Sequence, residues 1–118
     1  MTPIERLLSD ANVRDLDVDA AATFLTNDEP SILFAPGDPR PEIADVAVVL
    51  SELRALHPQI GVGISRGAEA ELRTKVGVGT FPALVFVRGG SVQRTITRMG
   101  AWSTYVEAAD AITRGPQP

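Results

Sequence analysis

The chain has 118 residues, 44% apolar and 22% charged, enough for one globular domain with an ordinary core and unlike a disordered chain. Cysteine is absent and histidine occurs once, at His57, which excludes disulfides, thiol redox chemistry, iron–sulfur clusters, thiolate zinc sites and metal centres of several imidazoles. A net charge of −4 lacks the basic footprint of a nucleic-acid binder, and no apolar run approaches the ~18–20 residues that span a bilayer.

Thr2-Pro3-Ile4-Glu5 reads as a helix start, with Thr2 as N-cap, Pro3 at the first helical position and Glu5 closing a capping box. These first residues have neither the basic start nor the apolar stretch of a signal peptide, so a cytoplasmic protein without membrane insertion is expected. Val13 to Leu16 is a short strand, and Asp17 or Asp19 caps a brief helix carrying Ala22, Phe24 and Leu25. Ser31-Ile32-Leu33-Phe34-Ala35 is an apolar run between breakers, as in a strand buried on both faces. Three prolines within Pro36–Pro41 then impose a rigid irregular loop. A long helix from Glu42 to Leu56 places Ile43, Val46, Ala47, Leu50 and Leu53 on one arc. Asp45 and Glu52 lie off that arc, with Val49 and Leu56 beside them.

Ile60 to Ile64 is a strand, Ala68 to Val76 a helix and Ala83 to Val87 the strongest strand. Arg88-Gly89-Gly90-Ser91 turns the chain into a partner strand over Val92–Thr97. A last helix follows from Trp102 to Ile112. The order of elements is βα repeated, then a hairpin, then a closing helix. It predicts a single α/β domain over residues 1–114, a mixed sheet with helices on both faces, followed by a loose tail at 115–118.

Gly63-Ile64-Ser65-Arg66-Gly67 matches the nucleophile elbow of serine hydrolases. The single histidine precedes the serine, the reverse of the order in that fold, and Ser65 is better placed as a cap for the next helix. The only lysine, Lys75, follows no glycine-rich turn, so a Walker phosphate loop is excluded. No cofactor is expected.

Arg73 to Gly90, with Phe81-Pro82 opening an apolar strand and a glycine turn after it, resembles the second half of thioredoxin. The resemblance extends back through the Ser31–Ala35 strand and the Glu42–Leu56 helix, and implies that Pro82 is cis and faces the active-site position. Where thioredoxin carries its two cysteines, this chain has Ala35-Pro36-Gly37-Asp38-Pro39-Arg40-Pro41-Glu42. The redox chemistry is removed, so a binding protein and not an enzyme is expected.

Gly37-Asp38-Pro39, the Asp45–Leu53 helix, Arg88-Gly89-Gly90 and Trp102-Ser103-Thr104-Tyr105 are similar to the HupG/HyaE family of hydrogenase expression proteins, which commonly has proline where this chain has Ser51. Membership implies a chaperone for the small subunit of an uptake nickel–iron hydrogenase, binding the twin-arginine signal region of the precursor. Other hydrogenase accessory proteins are further implied partners. The residues that would serve are Asp38, Glu42 and Asp45 on an acidic surface, with Phe81 and Pro82 beside them. The acids fit because residues 1–59 carry 11 acids against 4 basic residues, a balance of −7. A redox-inactive subunit of some other complex is the alternative.

Overall fold

In the computed structural model, residues 2–114 are described; the tail expected at 115–118 lies outside them. The chain runs α1 (Pro3–Leu8), β1 (Val13–Leu16), α2 (Val18–Phe24), β2 (Ser31–Ala35), α3 (Glu42–Leu56), β3 (Gly61–Ser65), α4 (Glu69–Val76), β4 (Ala83–Arg88), β5 (Ser91–Thr97) and α5 (Trp102–Arg114). The sheet order is β1-β3-β2-β4-β5. β1, β3 and β2 are parallel, whereas β4 and β5 join antiparallel.

Alternation along the strands builds two cores. Ile32 and Phe34 of β2, with Leu84 and Phe86 of β4, face α1, α3 and α5 through Leu7, Leu50, Leu53, Ala109 and Ile112. Leu33, Ala35, Val85 and Val87 face the other way, onto Phe24 of α2 and Leu72 of α4. That is the expected mixed sheet with helices on both faces. All five residues of β2 are buried, because a central strand covered on both sides has no wet face.

α3 has the expected bounds, and Val46, Ala47, Leu50 and Leu53 are its buried arc; Ile43 is half-buried. Thr2 caps α1, its hydroxyl accepting from the Glu5 N–H at 3.1 Å. Asp17, not Asp19, caps α2, accepting from the Ala20 N–H at 2.7 Å, and that helix buries Ala21 in preference to Ala22.

Ser65 departs from its expected role. Pairing of β3 with β1 continues to Leu16↔Ser65, one residue beyond the expected strand end. Ser65 is therefore inside the sheet, 1% exposed, with no hydrogen-bond partner on its Oγ. α4 starts later, behind Ala68, without a side-chain cap. His57 lies before β3 begins, at the other end of the strand from Ser65, and its Nε2 is 2.8 Å from Asp110 Oδ1. Ser65 and His57 are thus not brought together. Among the described residues no helix is long and apolar enough to cross a membrane.

Candidate functional site

Three loops meet where β2 ends. Ala35 pairs with Ala83, so the Pro36–Pro41 segment leaves the sheet beside Pro82. The Phe81–Pro82 peptide bond is cis, as the thioredoxin resemblance implies. Gly37 lies directly on Phe81: a Cβ built there would stand 2.5 Å from Phe81 Cβ. Its φ of +72° also favours glycine, so two independent demands fix the residue type.

The third loop is tied in through Arg98. Its backbone N–H donates to the Pro82 carbonyl at 2.7 Å. At φ +58° it is the only non-glycine residue with positive φ among the described residues. The Tyr105 hydroxyl donates to the Arg98 carbonyl at 3.3 Å and accepts from the Gly100 N–H at 2.9 Å. Tyr105 is buried whereas Trp102 is 46% exposed, so the two rings that open α5 have different roles. Met99 on the third loop and Trp102 at the start of α5 are both exposed apolar side chains.

From that fixed backbone the Arg98 guanidinium grips Glu42 with both arms. Nε stands 2.6 Å from Oε2 and Nη2 stands 2.8 Å from Oε1, a bidentate pair. The hydrogen bond from Arg98 holds the Glu42 carboxyl below the usual carboxylate range, against the opposing effect of burial and with lesser help from the charges of Arg98 and Arg40. The same bond raises Arg98 above its ordinary value. Glu42 is thus ionised and occupied.

Asp38 and Asp45 are exposed and form no ion pair among the described residues. Asp38 lines a polar cleft of about 470 Å³ together with Arg40, Glu69, Arg73 and Thr80. The Arg73 guanidinium sits 5.8 Å from the centre of the Phe81 ring in that cleft. Asp45 lies in the first turn of α3. A second groove of about 530 Å³ runs on the α1 side of the loop, between Pro3, Ile4, Pro36, Pro39, Ile43 and Ala44.

The structure brings Asp38, Glu42, Phe81 and Pro82 into one loop cluster, with Asp45 one helical turn beyond Glu42. The surface is not simply acidic, because Arg40, Arg73 and Arg98 are interleaved with the carboxylates. Leu56 is exposed but belongs to the far end of α3, and Val49 packs against the core. Arg98 is the residue that sequence reasoning missed. Its one sequence signal is its place just before Gly100, in the short link between a strand and a helix. Among the described residues no group of three or more His, Asp or Glu side chains could hold a metal ion.

The family described as hydrogenase-1 expression protein HyaE matches residues 4–105, which include all three loops. The chain belongs to the HyaE family. The hydrogenase expression/formation protein HoxO of Azotobacter vinelandii is 36% identical over 115 residues, covering 95% of this chain and 78% of that relative. The hydrogenase expression/formation protein HupG of Bradyrhizobium diazoefficiens is 37% identical over 91 residues, with coverage of 74% and 62%. HoxO of Cupriavidus necator is 36% identical over 109 residues, with coverage of 87% and 68%.

Among solved structures, Malassezia sympodialis thioredoxin superposes with a TM-score of 0.69 at 13% identity, over 86% of this chain and 90% of its own. Mitochondrial thioredoxin 3 of Saccharomyces cerevisiae gives 0.68 at 10% identity, over 83% and 93%. These likenesses establish the thioredoxin-like fold. This HyaE-family chain is therefore a hydrogenase expression protein on a thioredoxin-like scaffold, with no cysteine anywhere in its sequence.

Proposed function

We propose that this HyaE-family protein is a non-catalytic assembly chaperone, acting in the cytoplasm on the small-subunit precursor of an uptake nickel–iron hydrogenase. It binds the twin-arginine signal region of that precursor, and other hydrogenase accessory proteins are further partners. The observation that carries this reading is the cysteine-free loop cluster around cis-Pro82. The crevice of a redox fold is kept and cross-tied, while the thiols that would give it redox chemistry are replaced by Pro36–Pro41.

The binding residues proposed are Asp38, Glu42, Asp45, Phe81 and Pro82. Carboxylates take guanidinium groups in a forked geometry that an ammonium cannot copy. The apolar groove beside them suits the uncharged stretch that follows the arginines of such a signal.

Calorimetry with the purified chain tests this. A synthetic twin-arginine signal peptide should bind, and the mature subunit lacking that signal should not. Changing Asp38 and Asp45 to asparagine together should weaken peptide binding about 2- to 30-fold, the range for two exposed charge pairs. Added salt should weaken it further. Equal binding of precursor and mature subunit would favour a permanent structural subunit, and absence of peptide binding would end the chaperone reading.

A further inference from the structure

We infer that Arg98 is a built-in competitor for the incoming arginine, so that Glu42 becomes available to a partner only when its own chain's guanidinium is displaced. The inference rests on the signal-peptide reading and assigns to that site a residue that sets its affinity and selectivity.

The grip of Arg98 on Glu42 has the geometry a peptide arginine would use, with two parallel N–H donors meeting the two carboxylate oxygens. Such a pair occupies the carboxylate face that a second fork needs. Arg98 reaches it from a backbone anchored on both sides, by the Pro82 carbonyl and by the Tyr105 hydroxyl. Its conformational freedom is already restricted, which favours the internal pair over a flexible external one.

The pair can nonetheless open. The Arg98 side chain is 46% exposed, so its charge can turn into water without being stranded in the core. Exchange of one guanidinium for another leaves the number of bidentate pairs unchanged. In the wild-type protein Glu42 therefore adds little net affinity, and the free Asp38 and Asp45 carry the attraction. Lysine cannot complete the exchange, because an ammonium replaces a fork with a point charge. The latch therefore lowers the affinity for arginine more than that for lysine, which gains little from Glu42 whether the pair is closed or open.

Calorimetry would use a synthetic peptide of two adjacent arginines followed by an apolar stretch, and its two-lysine counterpart. R98A should tighten the arginine peptide about 3- to 30-fold, between the ranges for exposed pairs and charge-assisted hydrogen bonds, and the lysine peptide under about 2-fold. R98G, which relieves the positive φ, should give the same gain and guards against a misfolded variant. Adding E42Q to R98A should abolish the gain. If the wild type binds and R98A binds no better, or if R98A/E42Q keeps the gain, the latch is refuted while the signal-peptide reading stands. If wild type, R98A and R98G all fail to bind, both are refuted.

Discussion

Replacing Gly37 by alanine is the sharpest test of how the loop is held. The backbone there has φ +72°, where an L side chain costs about 1–2 kcal/mol. The new methyl would also fall 2.5 Å from Phe81 Cβ and 3.2 Å from Phe81 Cγ. The first of those atoms is fixed by the backbone beside the cis bond and cannot swing away. Overpacking of this kind costs about 1–3 kcal/mol. The two effects together come to about 2–5 kcal/mol, or about 8–20 °C in Tm at roughly 4 °C per kcal/mol for a chain of this length. Gly77 supplies the control: it has φ +79° and no atom within 4 Å of a built Cβ. Gly77→Ala should therefore cost only the conformational part, about 1–2 kcal/mol. Urea unfolding of both variants, with matching m-values, isolates the collision as the difference between them. If G37A loses no more than G77A, the Pro36–Pro41 loop moves off Phe81 at no cost and the crevice is not fixed.

Ser65→Ala should stabilise the protein by about 1 kcal/mol, because it removes a buried hydroxyl that has no partner; a loss of stability in urea melts would mean that the hydroxyl is satisfied. Tyr105→Phe should cost about 1–2 kcal/mol by stranding the Gly100 N–H and the Arg98 carbonyl, read the same way. Because Arg98 lowers the Glu42 pKa on folding, the stabilisation from this pair is fully present above the ordinary glutamate value of ~4.3 and is lost as pH falls through the lower folded value. The Tm gap between wild type and E42Q should accordingly be constant above about pH 5 and shrink in acid, and a gap that widens in acid would reverse the assignment.

The elements legible in the sequence are those held by local forces. α3 was legible over its whole length because a 3.6-residue apolar arc and Pro58 bound it within one segment. β2 was legible because a five-residue apolar run between breakers is too short for a buried helix and suits a covered central strand. The cis bond was legible only through the family resemblance. Ser65 was misplaced because its fate depends on a neighbour 49 residues earlier: pairing with Leu16 carries the strand past the point where a cap would form. Trp102 and Tyr105 look alike in sequence, and only the approach of the Arg98–Gly100 loop makes one a buried hydrogen-bonding residue and leaves the other exposed. Glu42 read as a free acid for the same reason. Its partner is 56 residues away and reaches it through a left-handed backbone that nothing in an arginine announces.

The topology explains why the crevice can persist without the thiols. The chain leaves β2 through α3 on one face of the sheet and leaves β3 through α4 on the other. Connections that diverge to opposite faces open a crevice at the carboxyl ends of the strands, whatever residues line it. Thiols are not needed to keep that crevice in shape. Here Gly37 presses on Phe81, Arg98 spans from Pro82 to Glu42, and Tyr105 anchors Arg98. The last two ties share Arg98, whereas the Gly37–Phe81 contact stands apart from it. The same ties set the charge of the opening. With Glu42 neutralised from within, the exposed acids at the mouth are Asp38 and Asp45, set among Arg40 and Arg73. A surface of that kind would hold a lysine-rich segment weakly, since its free carboxylates are few and already shadowed by arginines. Under the proposed function, a ligand that brings guanidinium forks and an apolar segment together would be favoured, because that combination would satisfy the carboxylates and fill the proline-lined groove in one binding event.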